Sequence, residues 1–479
     1  MLFNSVDFAI FLPVVFVLYW FVTQRNLKLQ NILIVAASYF FYGCWDWRFL
    51  GLIFFSTILD YLIGLRLSKV THSKKRKLLL TTSLVVNLGF LGFFKYYNFF
   101  LDNFVAAFRF FGQDIDPDRL SIILPVGISF YTFQTLSYTI DVYKNKLKPT
   151  DDFIAFAAFV SFFPQLVAGP IERATNLLPQ FFEKRSFNYH LAKDGLRQIL
   201  WGLTKKIVIA DNAAYYANLI FNDHEAYSGS TLLLGAFFFA FQIYGDFSGY
   251  SDVAIGTSRL FGFNLMQNFA FPYFSRDIAE FWRRWHISLS TWFRDYLYIP
   301  LGGSRGGLKM KIRNTMIIFI VSGFWHGANW TFMIWGALNA IYFLPLLLLN
   351  KNRLNTDIVA QGKYLPEIKE LMQMVITFLL TLIAWIFFRA KDVSTAVDFI
   401  VKMFSEKLFS VPDMFPLKVI GFIGLLLMVE WLQRTKKHGL EFSENSRLPW
   451  FARWMIYMGL IACIILFSGA QQEFIYFQF

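Results

Sequence analysis

Long apolar segments recur along almost the whole chain, and they constrain its fold more than any other feature. They lie near residues 8–22, 29–42, 49–65, 78–101, 195–220, 230–262, 331–349, 371–388, 416–432 and 450–468. A helix needs about 20 apolar residues to cross a bilayer, and only helices and closed barrels satisfy the backbone there. The sequence therefore predicts an all-α polytopic membrane protein with about ten to twelve transmembrane helices.

The basic residues indicate a membrane topology and not a nucleic-acid partner. The formal net charge is +13, but lysine and arginine form short clusters between apolar segments. The loop after the third apolar segment holds six basic residues and no acidic one: Arg66, Lys69, Lys74, Lys75, Arg76 and Lys77. By the positive-inside rule this loop is cytoplasmic, and counting crossings in both directions places the N-terminus and the C-terminus outside. The N-terminal apolar segment lacks a basic region before it, which predicts a retained helix.

Several apolar segments are interrupted by residues that lipid does not tolerate. Pro125 and Gly127 break one segment, and Pro164, Gly169 and Pro170 favour a re-entrant hairpin in another. Such breaks are accepted at membrane depth where they are buried in protein or line a cavity. We therefore predict a helical bundle with re-entrant and interfacial helices around a central chamber, in one transmembrane domain over 1–479. Its expected parts are peripheral helices at 1–120, a core at 121–350 and C-terminal helices at 351–479.

The stretch 281–336 joins two histidines, His286 and His326, through a positively charged loop. Residues 281–313 contain seven basic residues and one acid, Asp295, among aromatic residues. One interpretation is a membrane anchor, with Trp282, Trp285 and Trp292 at the level of the lipid headgroups. The other is a funnel for an anionic donor such as a phosphate-bearing thioester, which a positive concavity concentrates. In the second case Arg283, Arg284 and Trp285 are candidate substrate-binding residues.

His326 lies in the sequence SGFWHGANW, between Gly323 and Gly327, which allow a ligand or a neighbouring backbone to approach closely. A histidine at membrane depth needs a partner or a task, and both a satisfied core residue and a functional residue fit this pattern. Asn329 is placed one helical turn beyond it, where its amide can bind His326, bind an acceptor or only pack. Asp246, in YGDFSGYSD, is expected to face the bundle interior, where an arginine or a histidine can pair with it; it is also a candidate substrate-binding residue, and a structural role is favoured over that one.

Metal chemistry is not expected. The chain has two cysteines, Cys44 and Cys463, and no HExxH or CxxC motif. Neither a cysteine metal site nor a disulfide framework can be built from them. A GxSxG nucleophile elbow is not expected either, because GGSRG at 302–306 fits the letters but lies in a glycine-rich basic loop of an all-helical chain, without the strand that precedes such an elbow.

Five long motifs resemble the membrane-bound O-acyltransferase family, and in particular its bacterial polysaccharide branch, to which the membrane subunit of alginate O-acetyltransferase belongs. They are SFYTFQTLSYTIDVY (129–143), FFPQLVAGPIERA (162–174), YGDFSGYSDVAIG (244–256), FWRRWHISLSTWFRDYLYIPLGGSR (281–305) and SGFWHGANWTFMIWG (322–336). The resemblance implies that His326 is the catalytic histidine and His286 a supporting one. It also implies a bacterial inner membrane and an acyl group, usually acetyl, taken from a cytoplasmic thioester such as acetyl-CoA. That group is then passed toward hydroxyls of an exported polysaccharide, through a periplasmic acetyltransferase partner.

The expected mechanism has His326 as general base on the acceptor hydroxyl, while His286 orients the donor or stabilises charge on the thioester oxygen. Within the same family, O-acetylation of peptidoglycan and D-alanylation of teichoic acid are alternatives. A transporter or flippase is the alternative from another class, because broken helices and buried polar residues fit it as well. A third alternative is a scaffold whose chemistry resides wholly in a partner, but such a scaffold would not need histidines within the membrane.

Overall fold

The computed structural model describes residues 1–113, 115, 119–442, 448–469 and 472–477. Within these residues the secondary structure is helical and contains no β-strand. The α-helices are α1 (Val6–Val17), α2 (Leu27–Asp46), α3 (Leu50–Lys69), α4 (Ser73–Leu91), α5 (Tyr97–Phe110), α6 (Ile128–Tyr143), α7 (Phe153–Ser161), α8 (Phe163–Leu166), α9 (Ala174–Leu177), α10 (Tyr189–Leu203), α11 (Asp211–Asn222), α12 (Gly229–Leu260), α13 (Ile278–Arg284), α14 (Ile287–Phe293), α15 (Gly307–His326), α16 (Trp330–Leu348), α17 (Ile368–Arg389), α18 (Val393–Met403), α19 (Leu417–Leu432) and α20 (Trp450–Leu466).

The helical segments follow the apolar pattern of the sequence. In the described part of the chain, five segments are long and apolar enough to cross a membrane: Leu27–Lys69, Ser73–Phe110, Gly229–Leu260, Trp330–Leu348 and Ile368–Arg389. Shorter apolar helices lie at Val6–Val22, Phe153–Leu166 and Trp450–Leu466. The prediction of an all-α multi-pass membrane protein is confirmed, while the number of ten to twelve crossings stays a prediction.

The chain forms two compact units. The first comprises Met1–Lys193 with Thr257–Met266, and the second comprises Asp194–Gly256 with Gln267–Phe479. The division of the domain at residues 120 and 350 stays a prediction. Both histidines of the candidate site belong to the second unit.

A buried carboxylate joins three helices of the first unit. Asp60 of α3 is fully buried and accepts hydrogen bonds from Ser83 and Asn87 of α4 and from Thr139 of α6. An isolated carboxylate in an apolar interior is costly, and hydrogen bonds to the charged form offset that cost. The three polar partners therefore fix how α3, α4 and α6 pack.

The interrupted segment 124–143, which includes α6, is largely buried in protein, as the sequence predicted. Gly127 has a φ of 73° and precedes α6, and a side chain there would press against the carbonyl oxygen of Leu166. Inside α6, Gln134 is fully buried and donates to the carbonyl oxygen of Phe159 at 2.6 Å. The polar residues of this segment thus find protein partners instead of lipid.

In the second unit, α15 and α16 pack at very close range. A Cβ atom at Gly323 would collide with the carbonyl oxygen of Phe332, and one at Gly336 with that of Phe319. Small residues at helix contacts in membranes let backbones approach each other in this way. This contact sets the position of the C-terminal end of α15, where His326 lies.

Candidate active site

His326 is the last residue of α15 and is 3% exposed. Its ring is surrounded by aromatic rings, with centroid distances of 5.0 Å to Trp335, 5.3 Å to Phe388 and 5.5 Å to Tyr476. The ring of Trp325 lies 5.0 Å away. His326 therefore occupies an enclosed aromatic pocket, in which water does not compete for its ring nitrogens.

His286 lies between two short helices, α13 and α14, in the left-handed region with φ 44° and ψ 54°. A non-glycine residue in that region is strained, and such strain persists where the surrounding structure imposes it. The side chain is 1% exposed, its ring packs against Phe247 at 4.6 Å, and its Nδ1 lies 3.2 Å from Oδ1 of Asn268. Packing and a hydrogen bond together hold the imidazole in one orientation.

The fold gives the two histidines the same neighbours. The ring of Trp325 lies 6.2 Å from His286 and that of Tyr476 lies 6.5 Å from it, and both rings also contact His326. These contacts bring together residues that are far apart in the sequence. The second unit thus contains one site with two buried imidazoles.

Tyr476 was not predicted as a site residue from the sequence. The C-terminal segment packs inside the second unit, where Phe474 and Ile475 are buried and Tyr476 contacts Phe247 at 4.5 Å. The one available signal was its composition, because FIYF is a run of large apolar residues at a chain end that is otherwise polar.

Asp246 holds this C-terminal segment in place. One carboxylate oxygen accepts from the backbone N–H of Ile475 at 2.6 Å, and the other lies 2.7 Å from Nζ of Lys206. Lys206 also pairs with Asp211 at 2.8 Å and donates to the carbonyl oxygen of Gln472 at 3.0 Å. The expected partner of Asp246 was an arginine or a histidine, and that expectation is wrong. A lysine within an apolar segment takes this place.

A second buried pair lies beside the first. Nζ of Lys205 lies 2.7 Å from the carboxylate of Asp252 and donates to Oγ of Ser248 at 2.8 Å. Gln198 donates to the same carboxylate. The polar residues of YGDFSGYSD face the interior, as predicted.

The basic residues near His286 are largely occupied by contacts within the protein. Arg284 pairs with the fully buried Glu280, which also binds Arg276. Arg283 donates to the backbone carbonyl oxygens of Asn352 and Asn355. The binding of a substrate by Arg283 or Arg284 stays a prediction.

Arg276 also reaches the loop before α17. Its guanidinium lies 2.8 Å from the carboxylate of Asp357, and this hydrogen bond holds the pKa of Asp357 below its usual range. Because Arg276 pairs with Asp357 and with Glu280, it connects the loop after α16 to the start of α13.

Trp285 is a core residue and does not lie at a membrane interface. It is 1% exposed and contacts Phe269, Phe281 and Trp385 at 5.1 to 5.5 Å. A side chain buried in protein does not contact lipid headgroups, so the interpretation of Trp285 as an interfacial anchor is wrong.

Asn329 does not lie one helical turn beyond His326, because α15 ends at His326. Instead, Asn329 caps α16, with its side-chain oxygen accepting from the backbone N–H of Thr331 at 3.0 Å. Its amide nitrogen donates to the carbonyl oxygen of Lys391 at 2.7 Å. The Asn329 side chain thus has a structural role, as a helix cap and as a contact to the loop that contains Lys391.

A cavity of about 520 Å³ opens beside α15 and α16. Its lining includes Ser322, one helical turn before His326, and aromatic and aliphatic residues form much of the wall. Three basic residues also line it: Arg294, Lys311 and Arg353. The cavity combines an apolar interior with positive charge and extends to within one turn of the histidine.

No group of three or more histidine, cysteine, aspartate or glutamate side chains suited to a metal ion occurs among the residues that the structure describes. The site brings two imidazoles together around Trp325 and Tyr476. A buried neutral imidazole is suited to accept a proton from a hydroxyl held within hydrogen-bond reach.

Comparison with known proteins places this geometry in a family. Residues 44–383 match the model of MBOAT, the membrane-bound O-acyltransferase family. The chain is 41% identical over 406 residues to the probable alginate O-acetylase AlgI of Azotobacter vinelandii, covering 84% of this chain and 77% of that protein. It is 33% identical to the peptidoglycan O-acetyltransferase of Helicobacter pylori, covering 100% of this chain and 98% of that protein. A third relative, the teichoic acid D-alanyltransferase of Streptococcus thermophilus, is 29% identical over 60% of this chain and 75% of its own length.

The match covers the histidine-bearing motifs, the paired histidines occupy one buried site, and the relatives are acyltransferases by name. The chain is an O-acyltransferase and belongs to the membrane-bound O-acyltransferase family.

Proposed function

We propose that this enzyme takes an acetyl group from a cytoplasmic thioester and passes it toward hydroxyls of an exported polysaccharide. The observation that carries the proposal is the pair of buried histidines, which share Trp325 and Tyr476. It is supported by a basic, partly apolar cavity whose lining includes Ser322, one helical turn before His326. A thioester donor such as acetyl-CoA carries a phosphate-bearing portion and an extended arm. The basic residues suit the former and the apolar cavity suits the latter.

In the proposed reaction His326 acts as general base. The acceptor oxygen attacks the thioester carbonyl carbon while an imidazole nitrogen of His326 takes the hydroxyl proton. The C–S bond then breaks, and the thiolate that leaves receives this proton as a thiol. A positioned base of this kind contributes roughly 10²–10⁴-fold to the rate.

Substitution of His326 tests this role. We expect His326→Ala to abolish acylation of the polymer while the protein still inserts into the membrane and elutes as one species in detergent. Normal acylation by this variant would remove His326 from the mechanism. The matched control is His190→Ala in the first unit, because His190 lies outside the site and should keep wild-type activity.

The cavity is proposed as the donor site. Replacing Arg294 and Lys311 by glutamine should raise KM for acetyl-CoA by at least about tenfold, since a positive concavity raises the local concentration of an anion. The value of kcat should change far less. An unchanged KM would place the donor elsewhere.

The polysaccharide acceptor is supported by the names of the relatives, which act on alginate, on peptidoglycan or on teichoic acid. We favour an exported polysaccharide with a periplasmic acetyltransferase partner, because the alginate relatives match at higher identity than the teichoic acid relative. Mass analysis of exported and cell-wall glycans from a deletion strain distinguishes the three. Loss of acetyl esters from peptidoglycan alone would replace this acceptor with the alternative.

The proposed location is the cytoplasmic membrane of a bacterium, with both termini outside and the basic loop at 66–77 in the cytoplasm. Cysteine labelling with a membrane-impermeant reagent at either terminus tests this orientation. The family match supports acyl transfer over the transporter alternative.

A further inference from the structure

Asn268 is a fully buried amide that binds the strained turn at His286. Its Oδ1 accepts from Oγ of Ser288 at 2.9 Å, and its backbone carbonyl oxygen accepts from the N–H of Ile287 at 2.9 Å. Its amide nitrogen donates to Oγ of Ser251 on α12 at 3.0 Å. Asn268 thus links α12 to both residues that follow His286, through its side chain to Ser288 and through its backbone to Ile287.

The orientation of this amide is fixed by its surroundings. The backbone N–H of Ser288 is only a donor, and it points at the Asn268 oxygen at 3.4 Å. Exchanging the amide oxygen and nitrogen would set two donors against each other. The atom that faces the histidine is therefore an acceptor.

This orientation determines the tautomer of His286. Because Nδ1 lies 3.2 Å from the Asn268 oxygen, Nδ1 carries the proton and donates it to this hydrogen bond. In a neutral imidazole the other nitrogen, Nε2, then has a lone pair. Nε2 is buried and has no hydrogen-bond partner among the residues that the structure describes.

We propose that Asn268 is a positioning residue, which holds His286 as the Nδ1–H tautomer so that Nε2 faces the reactants as an acceptor. The inference rests on the proposed acyl transfer and deepens it. A neutral His286 in this tautomer accepts a hydrogen bond or a proton and does not donate one to the thioester oxygen. Of its two expected roles, orientation of a reactant is retained and stabilisation of the oxyanion is not.

The titratable groups around His286 belong to several elements. His326 on α15 and Tyr476 in the C-terminal segment share its ring neighbours. The nearby carboxylates of α12 and α13 are all paired with basic side chains, namely Asp246 with Lys206, Asp252 with Lys205, and Glu280 with Arg276 and Arg284.

The test is the pH profile of acetyl transfer from acetyl-CoA by Asn268→Asp and Asn268→Ala in the full-length protein. In Asn268→Asp a carboxylate accepts from Nδ1–H and stabilises the protonated imidazole. The acidic limb of the profile should move to higher pH by about one unit or more, while activity returns on the alkaline side. In Asn268→Ala the tautomer is no longer imposed, and kcat should fall at least about tenfold at every pH.

Two further variants separate this role from a structural one. Ser251→Ala removes the partner of the amide nitrogen, and its loss of kcat should be smaller than that of Asn268→Ala. Asn87→Ala removes a buried amide that binds Asp60 in the first unit, so it should lower stability without moving the acidic limb. If Asn268→Asp keeps the wild-type profile, or Asn268→Ala stays within about twofold of wild type, the inference is overturned. If the wild-type protein transfers no acetyl group at all, the proposed function fails instead.

Discussion

Replacing Lys206 by methionine should destabilise the second unit strongly. The Lys206 ammonium lies 2.7 Å from Asp246 and 2.8 Å from Asp211, and all three side chains are at most 4% exposed. Removing the cation leaves two carboxylates buried without a counter-charge. Breaking a buried ion pair in this way costs about 3–5 kcal/mol.

This cost has a measurable size. At roughly 2 °C per kcal/mol for a large unit, the Lys206→Met variant should melt about 6–10 °C below wild type. The assay is thermal unfolding of the detergent-solubilised protein, followed by size-exclusion chromatography. Lys407→Met, at an exposed lysine, is the matched control and should melt within about 1 °C of wild type.

A double variant tests the reasoning itself. Asp246→Asn alone should cost less than Lys206→Met, because Lys206 keeps Asp211 as a partner. The combination should be no less stable than Lys206→Met, because it removes one of the two stranded carboxylates. Additive losses, or a Lys206→Met variant that melts at the wild-type temperature, would refute the account of a buried charge network.

Three further predictions follow from other contacts. Gly336→Ala should force α15 away from α16 and lower kcat by about 10²-fold, since a misplacement of about 1 Å at a reacting group has this effect. Steady-state kinetics, with a size-exclusion check of folding, would measure it. A variant with the wild-type kcat would show that the contact does not position His326. Glu280→Leu should reduce the yield of folded protein, because the partly buried Arg284 loses its carboxylate partner and the buried Arg276 keeps only Asp357 and Glu370. Yield in detergent, compared with an exposed Glu367→Leu control, would measure it. Asp357→Asn should destabilise the protein by at most about 1 kcal/mol at neutral pH, since Asp357 is half-exposed. Because the folded-state pKa of Asp357 is lowered, this difference should be lost as the pH falls through that lowered pKa. A melting temperature that is equally reduced at neutral and at acidic pH would contradict the assignment.

The extent of the helices was predictable from the sequence. The expected segments 331–349, 371–388, 416–432 and 450–468 correspond to α16, α17, α19 and α20. The reason is that lipid provides no hydrogen-bond partners, so apolar length alone determines where a backbone must be helical. The burial of Asp246 followed from the same reasoning, since lipid excludes a carboxylate.

The partners of the polar residues were not predictable in this way. Lys206 lies in an apolar segment and gives no sign that it meets Asp246, and Asn268 lies in a loop without helical periodicity. Trp285 resembled an interfacial anchor because it neighbours two arginines, yet Arg284 turns to Glu280 and the tryptophan turns inward.

The sequence by itself thus determined the membrane class, the approximate helix bounds and the two histidines worth testing, because these depend on local apolar length and on motifs. Only the tertiary structure decided that His286 and His326 share Trp325 and Tyr476, and that Asn268 sets the tautomer of one of them. Those contacts join residues that are distant in the chain. Such contacts depend on how helices pack at glycine contacts and buried ion pairs, and no local pattern in the sequence encodes that packing.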